Sequence, residues 1–349
     1  MEQWVGTWGA SHAAPTYFIP LEFMPAPTPI QGTIRHRLRI SAGGSRLRLR
    51  LSNETGDKPL LIGGASIGLA GEEGACIRQG TLKRVSFSQQ EAISIPAGAA
   101  VVSDPVDLPV PALGEVIVSL YLPEEFIPAQ GGDTHKAKLA AGRDAVMSEA
   151  LPGAVTLGVR PVVTTITVTP LRPTRTIVAL GDSLTDGATD GTGCESYTYR
   201  GWLDILARRL HERSGAMAYG VVNAGIGGNR LIRNFIGPPA LARLDKDVFA
   251  VPGLSHLIVL EGINDIGIGG RTIGGKTYPM VTPEELIVAY LQIIERAHEQ
   301  GVTVIGGTLP PFRDSFFFLE EKETVRSSVN AWIRQGRAFD GIVDFDHAI

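Results

Sequence analysis

The residues of this 349-residue chain that could carry chemistry concentrate in its second half, each at the end of a short apolar run. Residues 176–180 run into Gly181-Asp182-Ser183-Leu184, with Thr185-Asp186-Gly187 beyond. Residues 219–222 run into Asn223-Ala224-Gly225-Ile226-Gly227-Gly228-Asn229-Arg230, and residues 257–260 into Glu261-Gly262-Ile263-Asn264-Asp265. Open α/β sheets bind ligands at the carboxyl ends of their strands. A hydroxyl, a glycine-rich turn and a side-chain amide at three successive strand ends are what acyl transfer needs: a nucleophile, and donors aimed at the developing oxyanion. Each residue also has a structural reading. Ser183 fits a helix N-cap, with Asp186 three residues on as in a capping box. Asn264 and Gly228 fit turns, Arg230 fits a salt bridge that holds its loop, and Asp182 and Asp186 fit carboxylates that fix backbone.

Two further motif matches carry no chemistry. Gly64-Ala65-Ser66-Ile67-Gly68 matches the G-x-S-x-G elbow, which requires a strand-to-helix turn. The Leu69-Ala70-Gly71-Glu72-Glu73-Gly74 that follows has no helical periodicity. Residues 225–230 approach a dinucleotide loop, but Arg230 stands where the third glycine of G-x-G-x-x-G belongs, so no cofactor is expected.

Taken together and in this order, the Gly-Asp-Ser-Leu, Asn-x-x-x-x-Gly-x-Arg and Gly-x-Asn-Asp runs resemble blocks of the SGNH (GDSL) hydrolase family, over about residues 176–345. The first half resembles the β domain that precedes the hydrolase in a two-domain branch of GDSL-type esterases. The resemblance implies that Ser183 is the nucleophile. It also implies an oxyanion hole made by the N–H of Ser183, the backbone N–H of Gly228 and the side-chain amide of Asn264. Gly228 suits that role because no Cβ blocks the approach of its N–H to a substrate.

A serine nucleophile needs a base, which the family supplies from an Asp-x-x-His block after the last strand. Here that spacing occurs as Asp344-Phe345-Asp346-His347, close to the final residue, Ile349. Three alternatives stand. The pair follows residue 349 and the hydrolase domain is C-terminally truncated; or His347 and Asp344 are base and orienter; or the chain is an impaired binding protein on a hydrolase scaffold. An extended segment puts Asp344 and His347 on opposite faces, whereas a turn at Asp346 brings them together. The other histidines, His12, His36, His135, His211, His256 and His298, have no metal-ligand spacing such as H-E-x-x-H, so no metal is expected.

The elements that must position these groups differ between the halves. In residues 34–51, Ile34, Leu38 and Ile40 alternate with Arg35, Arg37 and Arg39. Leu47, Leu49 and Leu51 then alternate with Arg46, Arg48 and Arg50. Period-two alternation about Gly43-Gly44 predicts a hairpin with one buried face and an arginine-rich solvent face, read as a protected sheet edge or a ligand-binding stripe. Strand-like runs at 115–122 and 162–169, separated by Pro/Gly turns, predict a sandwich or jelly roll. After Pro170-Leu171-Arg172-Pro173, strands alternate with amphipathic helices at 202–210, 283–300 (with Thr282 as N-cap) and 320–334, and a last short strand spans 341–345. That alternation builds a parallel sheet covered on both faces. The expected fold class is therefore α/β: a three-layer, SGNH-hydrolase-like (flavodoxin-like) parallel sheet over residues 173–349, preceded by an N-terminal β-sandwich or jelly roll over 1–172.

Composition sets the remaining bounds. The 42 Gly and 23 Pro fit many turns, and a net charge of −4 argues against nucleic acid as partner. Two cysteines, Cys76 and Cys194, make neither a disulfide framework nor a C-x-x-C motif. No run reaches the ~18 apolar residues of a membrane helix. Met1-Glu2-Gln3-Trp4 opens no signal sequence, which suits a cytoplasmic protein or one whose signal has been removed. The expected reaction is hydrolysis of a short-chain carboxylic ester, of a small molecule or an acetylated glycan, through an acyl-serine.

Overall fold

The computed structural model describes residues 2–13, 28–72, 74–129, 135–187, 199, 201–213 and 215–349; Cys194 lies outside them. Alternating apolar residues build the first half as strands: β1 (Val5–Gly9), β2 (Ile30–Arg39), β3 (Gly44–Ser52), β4 (Leu60–Ile62), β5 (Gly64–Leu69), β6 (Lys83–Val85), β7 (Ile93–Ile95), β8 (Ala100–Val102), β9 (Val106–Val110), β10 (Glu115–Phe126), β11 (Lys136–Ala141), β12 (Val155–Gly158) and β13 (Val163–Val168). One sheet runs β1-β13-β3-β8, with β9 also on β3, and a second runs β12-β11-β2-β10-β5-β6. Their pairings are antiparallel. Val5, Leu47, Leu49, Leu51 and Ile166 of the first sheet and Ile34, Leu38, Ile67, Val116 and Leu120 of the second meet in one buried cluster. The all-β expectation for this half holds.

The expected hairpin does not form. β2 pairs with β10 and β11, and β3 with β13, β8 and β9, so the chain changes sheets between them. The glycines at 43 and 44 serve close approach instead of a tight turn: a Cβ on Gly43 would lie 2.5 Å from the Ala112 nitrogen. Both strands are interior, and their arginines are consumed within the protein. Arg35 is fully buried. It donates to Ser119 Oγ (2.9 Å) and to the carbonyls of Ala75 (3.1 Å), Ala145 (3.4 Å), Ser148 (2.6 Å) and Glu149 (3.3 Å). Arg37 pairs with Glu115, Arg46 with Glu2 and Asp107, and Arg50 with Glu54; Arg48 lies over the Trp4 ring. Period-two patterning located the strands but could not tell solvent from a covering loop, because both accept an arginine whose donors are satisfied.

The second half holds β14 (Thr174–Gly181), α1 (Ser183–Asp186), α2 (Trp202–Glu212), β15 (Ala218–Gly225), β16 (Leu254–Leu260), α3 (Ile263–Ile268), β17 (Thr272–Ile273), β18 (Lys276–Thr277), α4 (Pro283–Glu299), β19 (Thr303–Gly307), α5 (Glu320–Gln335), β20 (Gly341–Val343) and α6 (Phe345–Ala348). Five strands form one sheet in the order β15-β14-β16-β19-β20, with β16, β19 and β20 parallel. Counted along the chain, this is the doubly wound order 2-1-3-4-5, whose ligand crevice opens beside the first strand, where the winding reverses. Residues 177–181 of β14 and 257–260 of β16 are apolar and buried, as strand segments covered on both faces must be. Thr282 caps α4 in a full capping box with Glu285, as its sequence predicts. Tyr290 of α4 stacks on Trp332 of α5 at 5.9 Å. By backbone proximity, Ile177–Gly187 and Asn223–Ile349 form one compact unit and the remaining described residues another.

Candidate active site

Ser183 follows β14 and Asn264 follows β16, the two strands that flank the reversal point of the sheet. The chain turns sharply at Asp182, which caps α1: its Oδ1 accepts the Leu184 N–H at 3.0 Å. The cap is thus Asp182 and not Ser183, and the Ser183 hydroxyl, half-buried, is not needed for the helix start. Asp186, the last residue of α1, accepts the Gly227 N–H at 3.0 Å, and Asn223 donates to the Thr185 carbonyl at 2.8 Å. These bonds fasten the glycine-rich loop after β15 to the Ser183 turn. Gly228 adopts φ +73°, and a Cβ there would lie 2.7 Å from the tip of the Ile236 side chain, so any other residue is strained there.

Asn264 joins the same group. Its Nδ2 donates to the Asn229 carbonyl at 2.9 Å and to Asp182 Oδ2 at 3.2 Å. Three loops from three strand ends are therefore tied into one assembly by side-chain-to-backbone and side-chain-to-side-chain bonds. Among the described residues, no hydrogen bond consumes the backbone N–H of Ser183 or of Gly228. Arg230 is fully buried and lies 3.6 Å from Asp265, which also accepts the N–H groups of Leu231 (2.6 Å) and Ile232 (3.2 Å). Asp265 thus holds the loop through these N–H groups, and Arg230 stands beside it as a counter-charge.

Sequence patterning missed Arg243. This fully buried guanidinium donates to the carbonyls of Gly181 (3.0 Å) and Ala224 (2.6 Å), to Asn229 Oδ1 (3.0 Å) and to Asp247 (2.9 Å), and lies 3.9 Å from Glu261. It therefore touches the ends of β14 and β15 and stands beside the end of β16. No local cue marks it, since it is a lone arginine between the apolar residues Ala242 and Leu244. Around it sits a buried acidic layer. Burial pushes the Asp182 carboxyl up to about 7, against the pull of the Leu184 N–H, with the Asp265 charge adding to the rise. Burial likewise lifts Asp265 to about 6 and Glu261 well above the usual carboxylate range.

The remaining candidates lie apart in their bonding. Asp344 stands at the N-cap position of α6 without a side-chain cap bond, and the final segment turns as a helix instead of extending β20. Asp344 pairs with Arg334 at 2.7 Å and accepts the Thr308 hydroxyl at 2.8 Å. Arg334 foremost holds its carboxyl well below the usual range. Among the described residues, no hydrogen bond links the exposed His347 ring to Ser183 or Asp344. No group of three His, Cys, Asp or Glu among the described residues is placed to hold a metal ion. No helix among them is long and apolar enough to cross a membrane.

Comparison with known proteins places this geometry in context. The profile of the GDSL-like Lipase/Acylhydrolase family matches residues 179–348. None of the curated proteins compared with the chain matches it. Among solved structures, the chain is similar to AlinE4, an SGNH-hydrolase family esterase, at 17 % identity and TM-score 0.36, covering 51 % of this chain and 80 % of that one. It is similar to TesA at 21 % identity and TM-score 0.35, covering 48 % and 77 % respectively. A family two carbohydrate esterase from Cellvibrio japonicus aligns at 16 % identity and TM-score 0.35 over 90 % of this chain and 80 % of its own.

Proposed function

Since residues 179–348 belong to the GDSL-like lipase/acylhydrolase family, we propose that the protein is a serine esterase that hydrolyses short-chain carboxylic esters through an acyl-Ser183 intermediate. The observation that carries this reading is the bonding of the Ser183 turn, the Gly228 loop and Asn264 into one assembly at the reversal point of the sheet. Ser183 Oγ attacks the ester carbonyl carbon while its proton passes to a base. The oxyanion is met by the pre-aimed N–H groups of Ser183 and Gly228 and by the Asn264 amide, whose two N–H groups rest on Asn229 and Asp182 until one is shared with the oxyanion. Collapse expels the alcohol with a proton, and water then releases the acid from Ser183. His347 is the candidate base within these residues, and Asp344 its candidate orienter only if it exchanges its bond to Arg334 for the His347 ring. The chain divides in this proposal into a β domain, read as a sandwich over 1–172, and the hydrolase domain over 173–349.

The test is hydrolysis of p-nitrophenyl acetate, of longer p-nitrophenyl esters and of an acetylated oligosaccharide. Wild type is expected to turn over the short ester, and Ser183→Ala to fall to background. Equal background rates for both proteins would reject the esterase. Activity of His347→Ala at the wild-type level would remove His347 as base, and preference for the acetylated sugar would assign the protein to carbohydrate deacetylation.

A further inference from the structure

We propose that Asp182 is a positioning residue that holds the Asn264 amide in register with the Ser183 nucleophile, an inference that rests on the esterase reading above. One carboxyl spans the two halves of the site. Oδ1 accepts the N–H of Leu184 at 3.0 Å and so fixes the turn that presents Ser183; Oδ2 accepts from Asn264 Nδ2 at 3.2 Å. The same nitrogen donates to the Asn229 carbonyl at 2.9 Å, one residue beyond Gly228. Two acceptors on two different loops take the two N–H groups and define the plane of the amide; the longer bond, to Asp182, is the one shared with the developing oxyanion. Of the two, only Asp182 adjoins the nucleophile in the chain. Displacing a pre-aimed donor by about an ångström is enough to cost much of its effect on a developing charge.

The choice of residue type supports the assignment. A helix start is capped as well by Ser or Asn as by Asp, and neither brings a charge. Asp182 is completely buried and faces Asp265 from α3, Glu261 from the end of β16 and Asp186 from its own helix, all carboxyls. A buried carboxylate among others is costly, and capping alone does not need it. What a carboxyl adds over an amide or hydroxyl is a second acceptor oxygen. An amide at 182 puts an oxygen at only one of these two positions and a donating nitrogen at the other, where it meets the Leu184 N–H or Asn264 Nδ2, themselves donors. A serine is long enough for the cap and too short for Asn264.

The experiment is a double-mutant cycle in the full-length protein with p-nitrophenyl acetate. Asp182→Asn and Asp182→Ser are each expected to lower kcat about tenfold or more, with KM changed by less than about twofold. In an Asn264→Ala background the same substitutions are expected to lower kcat by less than about twofold, because the group they act through is gone. Asp182→Ser keeps the cap, and its thermal unfolding transition is expected to persist. The same fold loss in both backgrounds would overturn the proposal and leave Asp182 a helix cap alone. Wild-type kcat in Asp182→Ser, or a parallel rise in KM, would overturn it as well. Full activity of Ser183→Ala would overturn the esterase reading together with this inference, and so tells the two failures apart.

Discussion

At the scale of single residues, the site depends on two groups with opposite demands on geometry. Asn264 must aim its amide, and Gly228 must leave its N–H accessible while its backbone sits at φ +73°. Removing one oxyanion donor typically costs ~10²–10³ in kcat. Asn264→Ala is expected to show a loss of that order with a small change in KM, measured by steady-state ester hydrolysis. Gly228→Ala is expected to lower both stability and kcat. A left-handed backbone with a side chain costs about 1–3 kcal/mol, and the new methyl would press on Ile236, which lies 2.7 Å from its position. Urea titration reads the first effect and kcat the second; an unchanged urea midpoint would show that the loop relaxes.

At the scale of elements, three strand ends hold the candidate residues, and Arg243 holds two of those ends together. Its guanidinium bonds the Gly181 and Ala224 carbonyls and the Asn229 side chain, so β14, β15 and the Gly228 loop share one buried cation. Breaking a buried charge pair by removing one member costs about 3–5 kcal/mol, because the partner charge and the carbonyls stay buried without it. Arg243→Met is therefore expected to destabilise this unit by that amount in urea unfolding, with the Asp247 carboxylate left uncompensated. A loss below about 1 kcal/mol would mean that water or rearrangement replaces it. The same reasoning applies to Arg35, whose donors satisfy carbonyls of the covering segments at 75 and 145–149.

At the scale of the whole molecule, the two units carry buried titrating groups of opposite sign. Asp182 and Asp265 titrate at about 7 and about 6 in the fold, against 3.8 when exposed, so between those values the folded state holds more protons than the unfolded chain. Their contribution to stability is full below pH ~4 and is lost as pH rises through about 6 to 7. His36 lies in β2, and burial foremost lowers it from 6.5 to about 3; its fold holds fewer protons in that interval, and stability is lost as pH falls through it. Amide hydrogen exchange at pH 5 and pH 8, corrected for intrinsic rates, is expected to show better protection at pH 5 for Leu231, which donates to Asp265. Around His36 in β2 the better protection is expected at pH 8. The same sign in both regions would contradict the assignment of these shifts to burial.

Much of this was legible in the chain alone. The Gly-Asp-Ser-Leu, Gly-Gly-Asn-Arg and Gly-x-Asn-Asp blocks identify the candidate residues, because strand-end chemistry depends on residue type and on local spacing. Strand and helix positions in the second half follow from periodicity and from the Thr282 cap, which are local properties too. What joins segments distant in sequence was not legible. The separation of β2 and β3 into two sheets, the burial of Arg35, the transfer of the cap from Ser183 to Asp182, and the convergence on Arg243 all depend on partners from 14 to 121 residues away or on the exact turn of the backbone. The reason is physical: a pattern of apolar and polar residues records which face is buried, whereas the partner that covers a polar group is chosen only when the chain packs.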